Sequence, residues 1–170
     1  MLLESQARIR QHLDRDPDDP AWLLAEGRTE ILEWQYAGAI ETLKKARDLV
    51  PAGSGEAPEI LVDLATAYYQ RAEATNRPID YSMASDLLGK AIQKNPRFAI
   101  AYFNRAIVYE KQHLYDPAIQ DWQDYLKFDS NSDWATEARR RLANLRDKMK
   151  RANSAIPKGS TILRSIGSNK

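Results

Sequence analysis

Apolar side chains recur along this chain at helical spacings, with offsets of 0, 3, 7 and 10 residues. Three such copies begin at Tyr36, Tyr81 and Tyr115, and a weaker fourth copy, with Ser5 and His12 at two of its offsets, begins at Leu2. At offset 15 a proline follows in every copy except the last, which has Ser130. Offsets of 3, 7 and 10 place side chains on one face of an α-helix, and proline ends a helix. The pattern therefore predicts four helices of one kind, each followed by a turn.

A second helical stretch precedes three of these copies. Each stretch has a large apolar residue followed four positions later by a small one: Leu23 and Gly27, Leu61 and Ala65, Tyr102 and Ala106. Because glycine and alanine add little volume to the backbone, a neighbouring helix can approach closely. The sequence thus predicts an opening half-repeat at 2–17 and helix pairs at about 20–51, 58–96 and 98–131.

The C-terminal part of the chain departs from this repeat. A last helix is predicted over 133–151, with an apolar stripe of Trp134, Ala138, Leu142, Leu145 and Met149. A terminal helix with one apolar and one charged face can cover the open end of a helical solenoid and keep that end in contact with water. Residues 152–170 have no acidic residue and little periodicity, so we expect a basic, disordered tail after a solenoid that spans 1–151.

The repeated pattern resembles the tetratricopeptide-repeat (TPR) family, whose 34-residue unit has W-x2-L-G-x2-Y, A-x3-F and P at fixed positions. Ala84 and Ala118 are 34 residues apart, and the resemblance covers about 2–131. Arg105 and Glu30 depart from the leucine and tyrosine of the family pattern. The resemblance implies an all-α, TPR-type right-handed α-solenoid of about three helix pairs, an N-terminal half-repeat and a C-terminal capping helix.

The resemblance also implies a binding groove, because the first helix of each TPR pair lines a concave face. Positions beside the packing stripe are expected to face it: Leu24, Arg28, Val62, Asp63, Thr66, Tyr69, Phe103, Asn104 and Ile107. Large apolar residues that packing does not require suggest a partner surface. We expect a mainly apolar strip with Arg28, Asp63 and Asn104 as polar anchors. The alternative is a groove filled by the N-terminal helix or the tail.

An acidic ligand is not expected in this groove. Chaperone-binding TPR proteins hold an acidic C-terminus with Lys, Asn and Arg side chains on the inner helices. The corresponding places here include Leu24, Asp63 and Ile100, and only Asn104 and the charge of Arg28 fit such a clamp. Asp63 would repel a carboxylate, so the ligand should be an extended segment or helix with apolar side chains.

Composition narrows the functional classes. Apolar residues make up 43% of the 170 residues and charged residues 29%, with 7 Gly and 8 Pro, which is typical of a globular protein rather than a turn-rich one. The absence of cysteine excludes disulfides and thiolate chemistry, and two distant histidines offer little for a metal site. We therefore expect no enzymatic activity, metal or cofactor. No membrane-spanning run or targeting segment is visible, so a cytoplasmic protein is expected.

Charge is distributed unevenly. From Glu137 to Lys170 there are ten Lys/Arg and two acidic residues, a net charge of +8, against a net charge of +1 for the whole chain. This basic end allows a nucleic-acid-associated role as an alternative function, although a solvated helix face explains it more simply.

A finer resemblance concerns four short segments. They look like TPR segments of large bacterial proteins that carry a caspase-like (CHAT) protease domain: Asp63–Glu73, Pro78–Tyr81, Phe103–Ala106 and Trp134–Arg139. This implies a second alternative, a regulatory segment of a larger bacterial enzyme system. The leading prediction is a protein–protein interaction module, a scaffold or adaptor that binds a peptide or partner helix. The identity of the partner and the oligomeric state stay open.

Overall fold

The computed structural model describes residues 2–50 and 57–155. They form eight α-helices: α1 (Leu2–Leu13), α2 (Pro20–Leu32), α3 (Tyr36–Leu49), α4 (Pro58–Thr75), α5 (Pro78–Lys94), α6 (Ala99–Lys111), α7 (Tyr115–Phe128) and α8 (Asp133–Ala155). Within these two ranges no residue belongs to a β-strand. The predicted turn after Pro51 and the predicted tail from residue 156 onward lie outside the described residues.

Local signals in the sequence explain where the helices begin. Pro20, Pro58 and Pro78 occupy the first turns of α2, α4 and α5, where a missing N–H group costs nothing. The Asp19 carboxylate caps α2 by accepting hydrogen bonds from two backbone N–H groups of its first turn, the nearer at 2.9 Å.

Each helix pair turns through one residue with a positive φ. These residues are Trp34 (φ 62°), Asn76 (φ 51°) and His113 (φ 60°), and each follows the first helix of its pair. Tryptophan and histidine adopt this left-handed conformation less readily than glycine or asparagine. The same backbone geometry therefore recurs in all three pairs although its residues differ.

Packing between the helices follows their order along the chain. Consecutive helices contact each other from α1 to α8, and α4 also contacts α2 and α6, the first helices of the neighbouring pairs. The template alanines Ala39, Ala84 and Ala118 are fully buried. A β-carbon added to Gly27 would lie 2.5 Å from Cγ of Leu43, so α2 and α3 need glycine there. This nearest-neighbour packing is that of an all-α solenoid.

Two hydrophobic cores run through the described chain. The N-terminal core is mainly aliphatic and consists of Ala39, Ile40, Leu43, Ile60, Leu61, Val62, Leu64, Ala65, Ala67, Tyr68, Ala84, Leu87, Leu88, Ala91, Ala101 and Val108. The C-terminal core consists of Phe103, Ala106, Ala118, Trp122, Tyr125, Ala135, Ala138, Leu142 and Leu145. The second core thus contains three large aromatic side chains among its nine residues.

The last helix differs from its prediction in two ways. Its buried residues are Ala135, Ala138, Leu142 and Leu145, while Trp134 is 64% exposed. At about 100° per residue Trp134 lies at the edge of the stripe that contains Ala138, Leu142 and Leu145, in the first turn of α8, and of the predicted stripe only those three later residues are buried. The helix also continues to Ala155, four residues beyond the predicted end, since the next proline is residue 157.

The departure at Arg105 from the family pattern is compensated by a partner on α7. The Arg105 guanidinium donates from Nε to Oδ2 of Asp121 at 2.7 Å and from Nη2 to Oδ1 at 2.8 Å. The Asp121 side chain is 3% exposed. Burial raises the pKa of Asp121 more than the ion pair with Arg105 lowers it. Arg71 holds the buried Asp80 in the same two-pronged way.

Candidate functional site

A cleft lies between α4 and α6, the first helices of the second and third pairs. This α4–α6 cleft has a volume of about 180 Å³ and is lined by Ala65, Thr66, Tyr69, Gln70, Leu88, Asn104, Ile107 and Val108. It brings together Thr66, Tyr69, Asn104 and Ile107, four of the residues expected to face a groove. All four are half-buried, so each presents part of its surface to solvent.

Some polar groups of this cleft already have hydrogen-bond partners among the described residues, and others do not. The Thr66 hydroxyl donates to the Val62 carbonyl oxygen at 2.9 Å and is thereby used within α4. The side-chain amides of Gln70 and Asn104 have no hydrogen-bond partner in the described part of the chain. Burial and the negative charge of Glu73 raise the pKa of Tyr69, so its hydroxyl keeps its proton. The cleft therefore offers two amides and a phenol to a ligand.

Ion pairs connect the successive first helices. Arg28 Nε lies 2.7 Å from Oδ2 of Asp63 and joins α2 to α4. Lys111 binds Glu73 and joins α6 to α4, and Arg141 of α8 lies 3.4 Å from Glu110 of α6. Arg28 and Asp63 thus bind each other, although Arg28 stays 51% exposed. Opposite charges are neutralised at three successive helix contacts.

Three apolar residues expected in the groove are more buried than an open groove requires. Phe103 is 5% exposed, and its ring lies 4.9 Å from that of Trp122 and 5.0 Å from that of Tyr125, between centroids. Val62 is 7% exposed in the N-terminal core, and Leu24 packs against that core. This corrects the expectation that Phe103 and Val62 are exposed in the groove: Val62 is a core residue, and Phe103 presents only a small part of its ring to a cleft.

A second cleft lies between α6 and the start of α8. This α6–α8 cleft has a volume of about 320 Å³ and is lined by Ala99, Ile100, Phe103, Asn104, Tyr125, Asp129 and Trp134. Ile100 is 43% exposed, Trp134 is more exposed still, and Asn104 lines both clefts. Sequence reasoning missed Trp134 as a site residue. The offsets of 0, 3, 7 and 10 that start at Ala135 were the available signal.

Residues 2–50 and 57–155 contain neither a group of metal-ligating side chains nor a helix suited to cross a membrane. No three His, Cys, Asp or Glu side chains there are grouped so that they could hold a metal ion. None of the helices in these ranges combines the length and the apolar character that a membrane span requires.

Comparisons with known proteins identify the fold. No family model matches the sequence. Among solved structures, the first TPR domain of Spaghetti (RPAP3) bound to the HSP90 peptide SRMEEVD has a TM-score of 0.65 at 19% identity, covering 78% of this chain and 94% of that chain. Yeast Tom70 has a TM-score of 0.74 at 16% identity, covering 85% of this chain and 29% of that chain. MamA has a TM-score of 0.61 at 22% identity, and the match covers 86% of this chain and 87% of that chain. The described chain therefore has the TPR fold.

Proposed function

We infer that this protein is a protein–protein interaction module, a TPR scaffold or adaptor that binds a peptide or partner helix on its concave face. The α4–α6 cleft carries this proposal, because it sets the unpaired amides of Gln70 and Asn104 beside the apolar surfaces of Tyr69 and Ile107. A side-chain amide both donates and accepts hydrogen bonds and so matches a peptide backbone. Solenoids present such concave surfaces to extended partners.

The chemistry of the concave face favours an apolar ligand over an acidic tail. The RPAP3 domain is bound to the HSP90 peptide SRMEEVD, in which three of the last four residues are acidic. In this chain Arg28 is already paired with Asp63, and the apolar Leu24 and Ile100 occupy other positions at which a carboxylate-binding clamp would need polar or basic side chains. An extended segment or helix with large apolar side chains fits the cleft better.

Narrower functions stay predictions. The resemblance to CHAT-linked segments points to a regulatory part of a bacterial enzyme system. The exposed Arg146, Lys150 and Arg151, which form no ion pair within the described residues, keep a nucleic-acid-associated role as the other alternative. A cytoplasmic location is likewise part of the proposal.

Selection from a random peptide library displayed on phage supplies a defined ligand. Calorimetry then compares its affinity for the wild-type protein and for Asn104→Ala, Ile107→Ala and the control Ile79→Ala, whose side chain is 61% exposed on α5. We expect each cleft variant to bind about fivefold or more weakly and the control to bind normally. Normal binding by both cleft variants would contradict the proposal.

A further inference from the structure

The α6–α8 cleft has an aromatic wall that packing does not account for. Its floor is made of the buried rings of Phe103 and Tyr125. The Trp134 ring meets Phe103 edge to face with 5.4 Å between centroids and leaves most of its own surface in solvent. Its indole N–H has no partner in the parts of the chain that the structure describes. The buried stripe of α8 starts at Ala135, so Trp134 leaves its ring available to a ligand.

One charged residue, Asp129, lines this cleft. Its carboxylate is fixed by hydrogen bonds from the hydroxyls of Tyr125 and Ser132 and from the backbone N–H groups of Asn131 and Ser132. The hydroxyls of Ser132 and Tyr125 contribute most to lowering the pKa of Asp129 to about 2. The group is therefore an anion at neutral pH.

No cation of the described chain neutralises this anion. Asp129 forms no ion pair within residues 2–50 and 57–155. The nearby Arg139 donates instead to the carbonyl oxygen of Ser130, and Lys127 pairs with Asp124. A carboxylate held rigidly beside an exposed indole ring is complementary to a positive charge on a hydrocarbon stem.

We propose that the α6–α8 cleft binds the lysine or arginine side chain of a peptide ligand, with its stem against Ile100 and its cation between the Trp134 ring and the Asp129 carboxylate. This inference rests on the proposed function, because the cation belongs to a peptide that also occupies the α4–α6 cleft. An aromatic face and a carboxylate together favour a cation over a neutral side chain of the same length.

The spacing of the two clefts restricts the ligand further. Asn104 lines both clefts. Ile107 lines the α4–α6 cleft and Ile100 the α6–α8 cleft, and both lie on one face of α6. Seven residues of helix rise by about 10 Å. A peptide in the extended polyproline II conformation has three residues per turn and rises by about 3.1 Å per residue, so its side chains at positions i and i+3 lie on one face about 9 Å apart. The preferred ligand therefore carries a large apolar side chain and a basic one about three positions apart.

Four synthetic peptides test this proposal. Acetyl-GLAAKG-amide and the reversed acetyl-GKAALG-amide are each compared with a copy in which norleucine replaces lysine. Titration of the ¹⁵N-labelled protein gives the affinities. It is followed at the Trp134 indole N–H signal and at the backbone amide signals of Ile100 and Asn104, which are also present in Trp134→Ala. We expect at least one lysine peptide to bind about 3- to 30-fold more tightly than its norleucine copy, the range that cation–π contacts supply.

Variants of the protein show which residues cause the preference for lysine over norleucine. The preference for lysine should disappear in Trp134→Ala and in Asp129→Asn and persist in the control Trp34→Ala, which removes an exposed tryptophan far along the chain. If Asp129→Asn fails to fold, Trp134→Ala and the norleucine copies still decide the matter. Equal affinity for lysine and norleucine, a preference that survives in Trp134→Ala, or no shift of the Trp134 signal at millimolar lysine peptide each overturns the inference. The proposed function is judged separately, on the library-selected peptide and the α4–α6 variants.

Discussion

The N-terminal and C-terminal cores both fill the space between packed helices, but they do so with different side chains. In the N-terminal core, leucine, isoleucine and alanine fill the space between α3, α4 and α5, and Tyr68 is its one aromatic member. In the C-terminal core, Trp122 is fully buried, and its Nε1 donates to Oε1 of Glu110 at 2.8 Å. The Arg105–Asp121 pair lies between α6 and α7 beside the same core. An equivalent pair, Arg71–Asp80, lies between α4 and α5. The two regions therefore differ in the side chains of their cores, because, of the two cores in the described chain, only the C-terminal one contains a tryptophan whose buried N–H needs a hydrogen-bond partner.

Because the two cores differ in this way, substitutions should destabilise them by different mechanisms. An aliphatic core loses free energy in proportion to the volume removed from it. A core that contains polar atoms also loses free energy when one partner of a hydrogen-bonded pair is removed, because the other stays buried without compensation. Substitutions at Trp122 and Glu110 should therefore depend on which partner is changed, more than substitutions of the aliphatic residues in the N-terminal core, whereas the buried ion pairs of both regions should respond alike.

The largest expected effect is that of Arg105→Leu, which introduces the residue of the family pattern and breaks the buried ion pair of the C-terminal region. It leaves the buried Asp121 without its ion-pair partner, so we expect a loss of about 3–5 kcal/mol in the free energy of unfolding, measured with urea. The double variant Arg105→Leu/Asp121→Ala should recover most of this loss. Arg28→Leu breaks an exposed ion pair and, as the control, should change stability by less than about 1 kcal/mol. A double variant as unstable as Arg105→Leu would refute this account of the pair.

Phe103→Ala and Tyr69→Ala separate a core aromatic from a cleft aromatic. Phe103 is enclosed by three aromatic rings, so its removal should cost about 3–5 kcal/mol. Tyr69 is half-buried against the N-terminal core, and its removal should cost clearly less. Thermal unfolding of the two variants measures the difference. Equal shifts in Tm would show that Tyr69 is as much a core residue as Phe103.

The smallest expected effect is a response of α8 to acid. Hydrogen bonds from Ser132 and Tyr125 lower the pKa of Asp129 to about 2, and hydrogen bonds from Arg140 and Arg141 lower that of Glu137 to about 2. A depressed folded-state pKa stabilises the fold above the ordinary carboxyl pKa and loses that contribution as pH falls toward 2. Hydrogen exchange should therefore accelerate in α8 before α4 between about pH 5 and pH 2. A parallel loss of protection in both helices would contradict this prediction.

The helices followed from the sequence because they depend on local rules. Repeated offsets fixed which face of each helix is buried, and proline marked where helices begin or end. The site residues were harder to predict from the sequence, since periodicity does not reveal which neighbouring helix covers a given face. The pattern within α6 leaves Phe103 without a packing partner, whereas Trp122 and Tyr125 of α7 and Trp134 of α8 contact its ring in the structure. The partner of Arg105 lies on the facing helix, 16 residues away, so no pattern within α6 could indicate it.

The position of Trp134 shows a related limit. The predicted stripe of α8 shares Ala138, Leu142 and Leu145 with the buried residues of the helix. Trp134 lies at the edge of that stripe, in the first turn, and lines the α6–α8 cleft instead of the core. Helical spacing shows which face of α8 is apolar, but it does not show how far along that face the neighbouring helices reach.

The central claim is that ligands bind on the face formed by α4 and α6, away from the second helices of the pairs. Backbone amide shifts of the ¹⁵N-labelled protein, recorded as the library-selected peptide is added, test it most directly. We predict that the largest changes lie in α4 and α6, around Tyr69, Asn104 and Ile107. Changes confined to α5 and α7 would contradict the account.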